Sequence, residues 1–339
     1  MNISSPNNLT LNKAKLNLIS LLFLLTLISG CSVSDSDENQ EDRAQEEIPV
    51  EYIMLTPTDF RTRIAEAPIA YLPLGTLEWH GEHLPLGSDG MQSFSFMKDL
   101  AYEVGGIVLP MLYLGPDMMM AEGEKELYGM DFWLSLEEGR TYMTPQQLDG
   151  SAYWVPDELF HQIVEQSIKQ LARAGFKIIV AHGHGPSTRH VIAHWKEWEE
   201  MYDVLIYTCW SWNIRGENDQ ESSEKSNREG LGIMTDHAAM NETSLMMYYY
   251  PDLVKMEQIS PDTALWPLAV AGKDPRLFAS AEQGQSAVEF QLERMTKLLR
   301  EALQRILPAS TGTSASKGAA SSTSETSKTA AAAKAATTG

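Results

Sequence analysis

The sequence predicts an α/β fold with a mainly parallel central sheet and helices on both of its faces. Ile69-Ala70-Tyr71-Leu72-Pro73-Leu74 is a short apolar run closed by Gly75, and Phe176 to Ala181 is another closed by His182-Gly183, the pattern of strands buried on both sides. Leu159 to Ala174 carries Ile163, Val164, Ile168 and Leu171 at helical spacing and stops before Gly175, and Thr188 to Tyr202 is a second amphipathic stretch. Strands alternating with helices imply crossover connections, and so parallel pairing.

At the amino terminus, Lys13 and Lys15 precede an apolar run from Leu16 to Ile28 and then Ser29-Gly30-Cys31. A basic region, a short apolar stretch and a small-residue cleavage site occur in secretory order, and the run falls short of the roughly 20 residues that span a bilayer. Residues 1–30 are therefore read as a signal peptide. Ile28-Ser29-Gly30-Cys31 also resembles a bacterial lipobox, which implies lipid attachment at Cys31 and an exported, membrane-anchored lipoprotein at the periplasmic face or outer membrane. Residues 31–50 carry seven acidic side chains, one arginine and no aromatic, too little apolar surface to offset chain entropy, and are read as a disordered tether. Residues 309–339, almost wholly Ala, Ser, Thr, Lys and Gly, are read as a disordered tail.

What lies between, residues 51–308, is long enough for one large α/β domain with a substantial core. The net charge of −20 becomes −22 once Lys13 and Lys15 leave with the signal, which argues against nucleic acid as a partner. Two cysteines occur, and with Cys31 assigned to lipid, Cys209 stands alone in the apolar run Val204 to Trp210, where a buried and inert thiol is expected. There is neither a disulfide framework nor a cysteine zinc site.

Gly106 to Leu109 and Val204 to Trp210 supply two further strands, and Ser286 to Ile306 forms a long helix with Val288, Leu292, Met295, Leu299 and Leu303 on one face. Residues 117–149 follow neither period, are rich in Met, Gly and Glu, and are read as an inserted loop or lid.

Open α/β sheets bind ligands beyond the carboxyl ends of their strands. Three clusters fall there. Glu78, His80, Glu82, His83 and Asp89 follow the first strand, His182-Gly183-His184 closes the second, and His237 and Glu242 precede a helical run. Carboxylates and imidazoles without thiolates suit zinc, manganese, iron or cobalt. His161, His190 and His194 are read as surface or structural helix residues, and Trp210 and Trp212 as core.

In this order, Gly75-Thr76-x-Glu78-x-His80-Gly81-x-His83-Leu84-Pro85-Leu86-Gly87-x-Asp89, Gly183-His184-Gly185 and His237-Ala238-x-x-x-Glu242-Thr243-Ser244 resemble the creatininase (creatinine amidohydrolase) family. The resemblance implies a three-layer α/β/α sandwich, a homo-oligomer, a small-molecule amide substrate and two divalent metal ions (zinc, manganese or iron) serving amide hydrolysis. Carried over, Glu78 and His184 hold one metal, His80 and a further carboxylate the other, and Asp89 bridges them. Creatininase has a metal-binding Glu two residues beyond the His that matches His184, where this chain has Pro186, so Glu242 is read as the replacement. His237 is the expected proton donor to the departing nitrogen, in keeping with a group that titrates near neutrality. His182 is expected as an extra ligand or a donor to a ligand, and His83 as a contact to ligand or substrate or as a packed loop residue. A tryptophan expected shortly before His237 in a creatinine-hydrolysing member is absent from Leu231-Gly232-Ile233-Met234-Thr235, which argues against creatinine as substrate.

Two other classes compete. Pro186 and His182 are compatible with an inactive ligand-binding lipoprotein on the same fold. A two-metal phosphoesterase would want arginines near the site, where only Arg189 stands.

Overall fold

The structure, a computed structural model, describes residues 48–133, 144–210 and 220–307. The signal peptide, Cys31, the tether up to residue 47, Trp212 and the tail from residue 308 lie outside the described residues. No helix among the described residues is long and apolar enough to cross a membrane.

Four parallel strands form the central sheet in the order β2-β1-β5-β6, with β1 at Ile69–Leu74, β2 at Ile107–Val108, β5 at Ile178–Gly183 and β6 at Leu205–Tyr207. Between β2 and β5 the chain forms an antiparallel hairpin, β3 at Met119–Glu122 with β4 at Lys125–Tyr128. The helices are α1 at Pro57–Glu66, α2 at Ser88–Val104, α3 at Asp157–Ala174, α4 at Gly185–Tyr202, α5 at Gln220–Glu229, α6 at Met240–Tyr249, α7 at Pro275–Phe278 and α8 at Ala281–Ile306.

The period of two along β1 sorts its side chains between two cores. Ile69 and Tyr71 join Phe96, Met97 and Leu100 of α2, Leu245 of α6 and Val288, Met295 and Leu299 of α8. Ala70, Leu72 and Leu74 join Phe160, Val164 and Ile168 of α3 and Val191 and Trp198 of α4. Helices thus cover both faces, and the fold is an α/β/α sandwich with a parallel sheet. Pro73 is tolerated in this central strand because β2 has already ended beside it, and the same margin lets its carbonyl accept from Leu112 N at 3.0 Å.

Several boundaries differ from the sequence reading. The second long strand runs two residues later than Phe176 to Ala181, because the Phe176 ring leaves the sheet to pack edge-on against Phe60 and Tyr52. Helix α4 starts at Gly185 rather than Thr188, with Pro186 in the first turn where its missing N–H costs nothing, and α8 starts at Ala281 with the Ser280 hydroxyl capping Gln283 N at 3.1 Å. Val50, assigned to the tether, is fully buried, and its carbonyl accepts from Val108 N at 2.8 Å. Residues 117–149 are not a structureless loop as far as they are described. They include the hairpin, a 3-10 turn at Gly129–Asp131, and Asp131, whose carboxylate accepts from Leu148 N at 2.9 Å. Helix α2, which the sequence reading did not assign, carries Asp89 in its first turn.

Cys209 is the free, fully buried thiol expected, and burial pushes its pKa up to about 12.

Candidate metal centre

The parallel strands β1 and β5 end side by side, and the chain leaves them in opposite directions, β1 towards β2 and β5 towards β6. A crevice therefore opens at their carboxyl ends. Leu74 pairs with Gly183 at the last register position, and His184 N donates to Leu74 O at 3.0 Å. Gly183 has φ +150°, and a Cβ there would run into the Leu74 carbonyl, so only glycine lets the strand turn into His184 at this spot. On the β1 side, Glu78 N donates to Leu86 O at 2.9 Å, closing the loop that carries Glu78 and His80 back to Asp89. The Asp236 carboxylate accepts from the backbone N–H groups of Asn241 and Glu242 at 2.7 and 3.1 Å, fixing the start of α6 and with it Glu242.

These segments bring five buried side chains, Glu78, His80, Asp89, His184 and Glu242, to one place. Three groups of potential metal ligands result, Glu78 with Asp89 and His184, His80 with Asp89 and Glu242, and Glu78 with His80 and His237, the ligand atoms of each lying within 4.8 Å of one another. Asp89 belongs to the first two. Its Oδ2 stands 2.9 Å from His184 Nδ1, and its Oδ1 stands 3.2 Å from His80 Nε2. Glu78 Oε2 lies 3.6 Å from His184 Nδ1, and Glu242 Oε2 lies 3.4 Å from His80 Nε2.

Both imidazoles are held from behind. His80 Nδ1–H donates to the Glu78 carbonyl at 3.0 Å, and His184 Nε2–H donates to the Pro116 carbonyl at 3.0 Å. Each ring thus turns its other nitrogen, His80 Nε2 or His184 Nδ1, toward the carboxylates. A lone pair facing carboxylate oxygens at this range is repulsive unless a cation, proton or metal, sits between them.

The electrostatics agree. Burial raises the Glu78 carboxyl well above the usual range, helped by the charge of Asp117, and burial does the same for Glu242. Burial opposes charging of His80 also, but Asp89 and Glu242 overcome it and raise the imidazole to about 10. At Asp89 burial is likewise outweighed, by the His80 charge and the bonds from both imidazoles, and its carboxyl is held far below the usual range. Among the described residues these carboxylates form ion pairs with His80 and His184 and none with a lysine or arginine, so protons or metal ions are left to supply the balancing charge. Three carboxylates and two oriented imidazoles fit a pair of divalent cations.

Around this core the other predicted residues take different places. His237 stacks on His80 with ring centroids 4.2 Å apart, and its Nε2–H donates to the Trp79 carbonyl at 2.6 Å. Burial and the His80 charge lower its pKa to about 3, which holds it as a neutral imidazole while His80 is charged. His182 belongs to neither ligand group around Asp89. It points back into the protein, its Nε2 3.3 Å from the Ile233 carbonyl and its ring edge-on to Trp210, because Gly183, at φ +150°, turns the chain out of β5 before His184. His83 bonds Thr243 Oγ1 at 2.8 Å, and that hydroxyl donates to the Ala238 carbonyl at 3.0 Å. His83 therefore braces the start of α6 and does not line the cleft.

Asp117 was missed in the sequence because it fell at the start of the presumed lid. It lines the same cleft as Glu78, and a Cβ on Gly129, whose φ is +50°, would collide with both carboxylates. The available signal was Gly115-Pro116-Asp117, a turn carrying an acid at the same rim as the other clusters. The cleft has a volume of about 430 Å³ and is lined by Met118, Met130, Trp133 and Trp210 as well as by Arg189, His237 and the carboxylates.

The profile of the creatininase family, described as creatinine amidohydrolase, matches residues 54–135 and 149–299. The interruption falls within 136–148, so the matched region includes Asp117 and the hairpin. A creatinine amidohydrolase of Pseudomonas putida is 23% identical over 269 residues, which are 73% of this chain and 95% of that protein. Among solved structures, creatinine amidohydrolase (creatininase) superposes with a TM-score of 0.54 at 21% identity over 76% of this chain and 98% of that one. A creatininase in its manganese form gives 0.54 at 21% identity over 75% and 99%. These two likenesses carry the fold, and the profile match over most of the domain carries the membership: the chain belongs to the creatininase family.

Proposed function

We propose that this protein is a metal-dependent amidohydrolase that cleaves a carbon–nitrogen amide bond in a small molecule. The observation that carries this reading is the sharing of Asp89 between two ligand groups, its two oxygens directed to His184 and to His80. Glu78, Asp89 and His184 would hold one divalent cation, and His80, Asp89 and Glu242 the other. Such a pair, when bound, makes water acidic enough to attack at neutral pH and polarises the carbonyl. The chain's own residues do the rest. The carbonyls of Glu78 and Pro116 hold the ligand imidazoles in the required tautomers. His237, anchored through Nε2–H, would use Nδ1 to carry a proton to the departing nitrogen. Met118, Met130 and Trp133 give an apolar wall to a cleft sized for a small substrate.

The creatinine amidohydrolase activity that describes the family and the existence of zinc and manganese forms of creatininase support this reading. The test is to strip the metals, restore zinc, manganese or iron one at a time, and assay cyclic amides, formamides and short peptides beside phosphoesters. Metal-dependent release of an amine supports the proposal. Turnover of phosphoesters alone, or of nothing under any metal, overturns it.

The same proposal places the enzyme on a membrane through Cys31, as the lipobox-like Ile28-Ser29-Gly30-Cys31 suggests, and in a homo-oligomer. Incorporation of labelled palmitate that is lost in Cys31→Ser would support the anchor, and light scattering of the chain without its first 30 residues measures the assembly.

A further inference from the structure

On the helical layer that covers one face of the sheet, three histidines gather apart from the crevice. His190 and His194 are four residues apart on α4 and so share one side of it, and His161 of α3 meets them there. The ring centroids of His190 and His194 are 4.6 Å apart, those of His161 and His194 are 4.6 Å apart, and those of His161 and His190 are 5.4 Å apart. Their potential ligand atoms all lie within 4.8 Å of one another, and none of the three belongs to a group around Asp89.

Three further features go beyond chance stacking. First, His161 Nδ1 and His190 Nε2 stand 3.2 Å apart. Nitrogens bound tetrahedrally at 2.0–2.1 Å from zinc would be separated by about 3.3–3.4 Å, so this pair already spans one edge of such a site. Second, the opposite nitrogens face carboxylates. His161 Nε2 is 3.6 Å from Glu165 Oε2, and His194 Nδ1 is 3.5 Å from Glu197 Oε2. The Tyr202 hydroxyl donates to Glu165 Oε1 at 2.6 Å and holds that carboxylate in place. A carboxylate behind an imidazole is the arrangement that fixes the tautomer of metal-binding histidines. Third, the cluster has an apolar floor, fully buried Trp198, whose ring centroid lies 5.5 Å from those of His161 and His194, while the His161 and His194 side chains remain about a third exposed, open to an entering ion.

We propose that His161, His190 and His194 form a second metal site, separate from the dinuclear centre, for a borderline divalent ion such as zinc or copper. His161 binds through Nδ1, His190 and His194 through Nε2, and the fourth position is left to water or a carboxylate. Three imidazoles without a thiolate select these ions over magnesium or calcium. Burial and the neighbouring imidazoles lower the His190 pKa to about 4, so it is a neutral ligand at pH 7. An ion here would tie α3 to α4, the helix whose first residue follows His184.

The test uses the full chain, equilibrated with Zn²⁺ and freed of excess by gel filtration, with metal measured by mass spectrometry beside His190→Gln and His194→Gln. The native protein is expected to retain one more equivalent than either variant, while both variants keep the metal and amidase activity of the dinuclear centre. Loading with Cu²⁺ should give an electron paramagnetic resonance signal from several nitrogens that His190→Gln removes. Zinc should raise the melting temperature of the native chain more than that of either variant. His194→Gln serves if His190→Gln does not fold, since the His194 side chain is about a third exposed. Equal metal content in native and variant proteins, or a copper signal indifferent to both substitutions, would overturn the proposal and leave three imidazoles packed on Trp198.

Discussion

Asp89 and His184, 95 residues apart in the chain, meet at 2.9 Å between Oδ2 and Nδ1, while the other oxygen of Asp89 faces His80 at 3.2 Å. One carboxylate therefore joins the carboxyl ends of β1 and β5. Replacing it with a neutral isostere should disconnect them. Asp89→Asn is expected to lose metal from both positions and fall to background activity, with an unchanged circular dichroism spectrum. Full metal content and activity in this variant would remove the bridging role.

His237 is assigned a different part: it stacks on His80 and stands outside both groups around Asp89, although its ring also comes within ligand range of Glu78 and His80. His237→Asn should keep its metals and lower kcat by about 10²–10⁴-fold, the usual contribution of a positioned proton carrier. Metal analysis and steady-state kinetics on one preparation separate this from loss of a ligand.

At Gly183 the requirement is steric. With φ at +150° and the Leu74 carbonyl in the path of a Cβ, Gly183→Ala should destabilise the fold by about 3 kcal/mol or more, read as a shift of the urea midpoint. An unshifted midpoint would mean that the strand end yields without cost.

Removing the metals should make stability depend on pH in a particular sense. His80, raised from 6.5 to about 10, and the raised carboxyls of Glu78 and Glu242 bind protons more tightly in the folded than in the unfolded chain. Their stabilisation is complete below the unfolded pKa values and is lost as pH rises toward the folded ones. The histidines whose pKa values are depressed, His83, His182, His190 and His237, act in the opposite sense only below about 6.5. Between pH 7 and 9 the metal-free protein should therefore lose stability with rising pH, by about 1.4 kcal/mol per unit for each whole proton involved. With metal in place of these protons the slope should vanish or reverse, because deprotonated ligands bind metal more tightly. Melting curves with and without chelator across this range make the comparison, and a metal-free protein indifferent to pH would contradict the charge distribution described for the cluster.

Much of this was legible in the chain because it is written in short-range pattern. Apolar runs of strand length closed by glycine located β1 and β5, helical spacing located α3, α4 and α8, and the acids and imidazoles just past the strand ends marked the crevice. Where local pattern was ambiguous the reading slipped. Asp117 was lost because a Met-rich segment gives no clear period although part of it folds as a hairpin. His182 was raised to a possible ligand because sequence adjacency to His184 hides the turn at Gly183, φ +150°, that parts the two side chains.

The sequence by itself determined which groups were available and that two parallel strands would deliver them to one rim, since periodicity and glycine placement act over a few residues. Tertiary structure alone decided which nitrogen of each imidazole faces the carboxylates, because the carbonyl that holds His184 belongs to Pro116, 68 residues away. It also decided that Asp89 serves both groups, that burial keeps His237 neutral, and that His161 on one helix meets His190 and His194 on another. Those outcomes depend on distances between segments far apart in the chain, which the packing of whole helices on the sheet sets and no local pattern encodes.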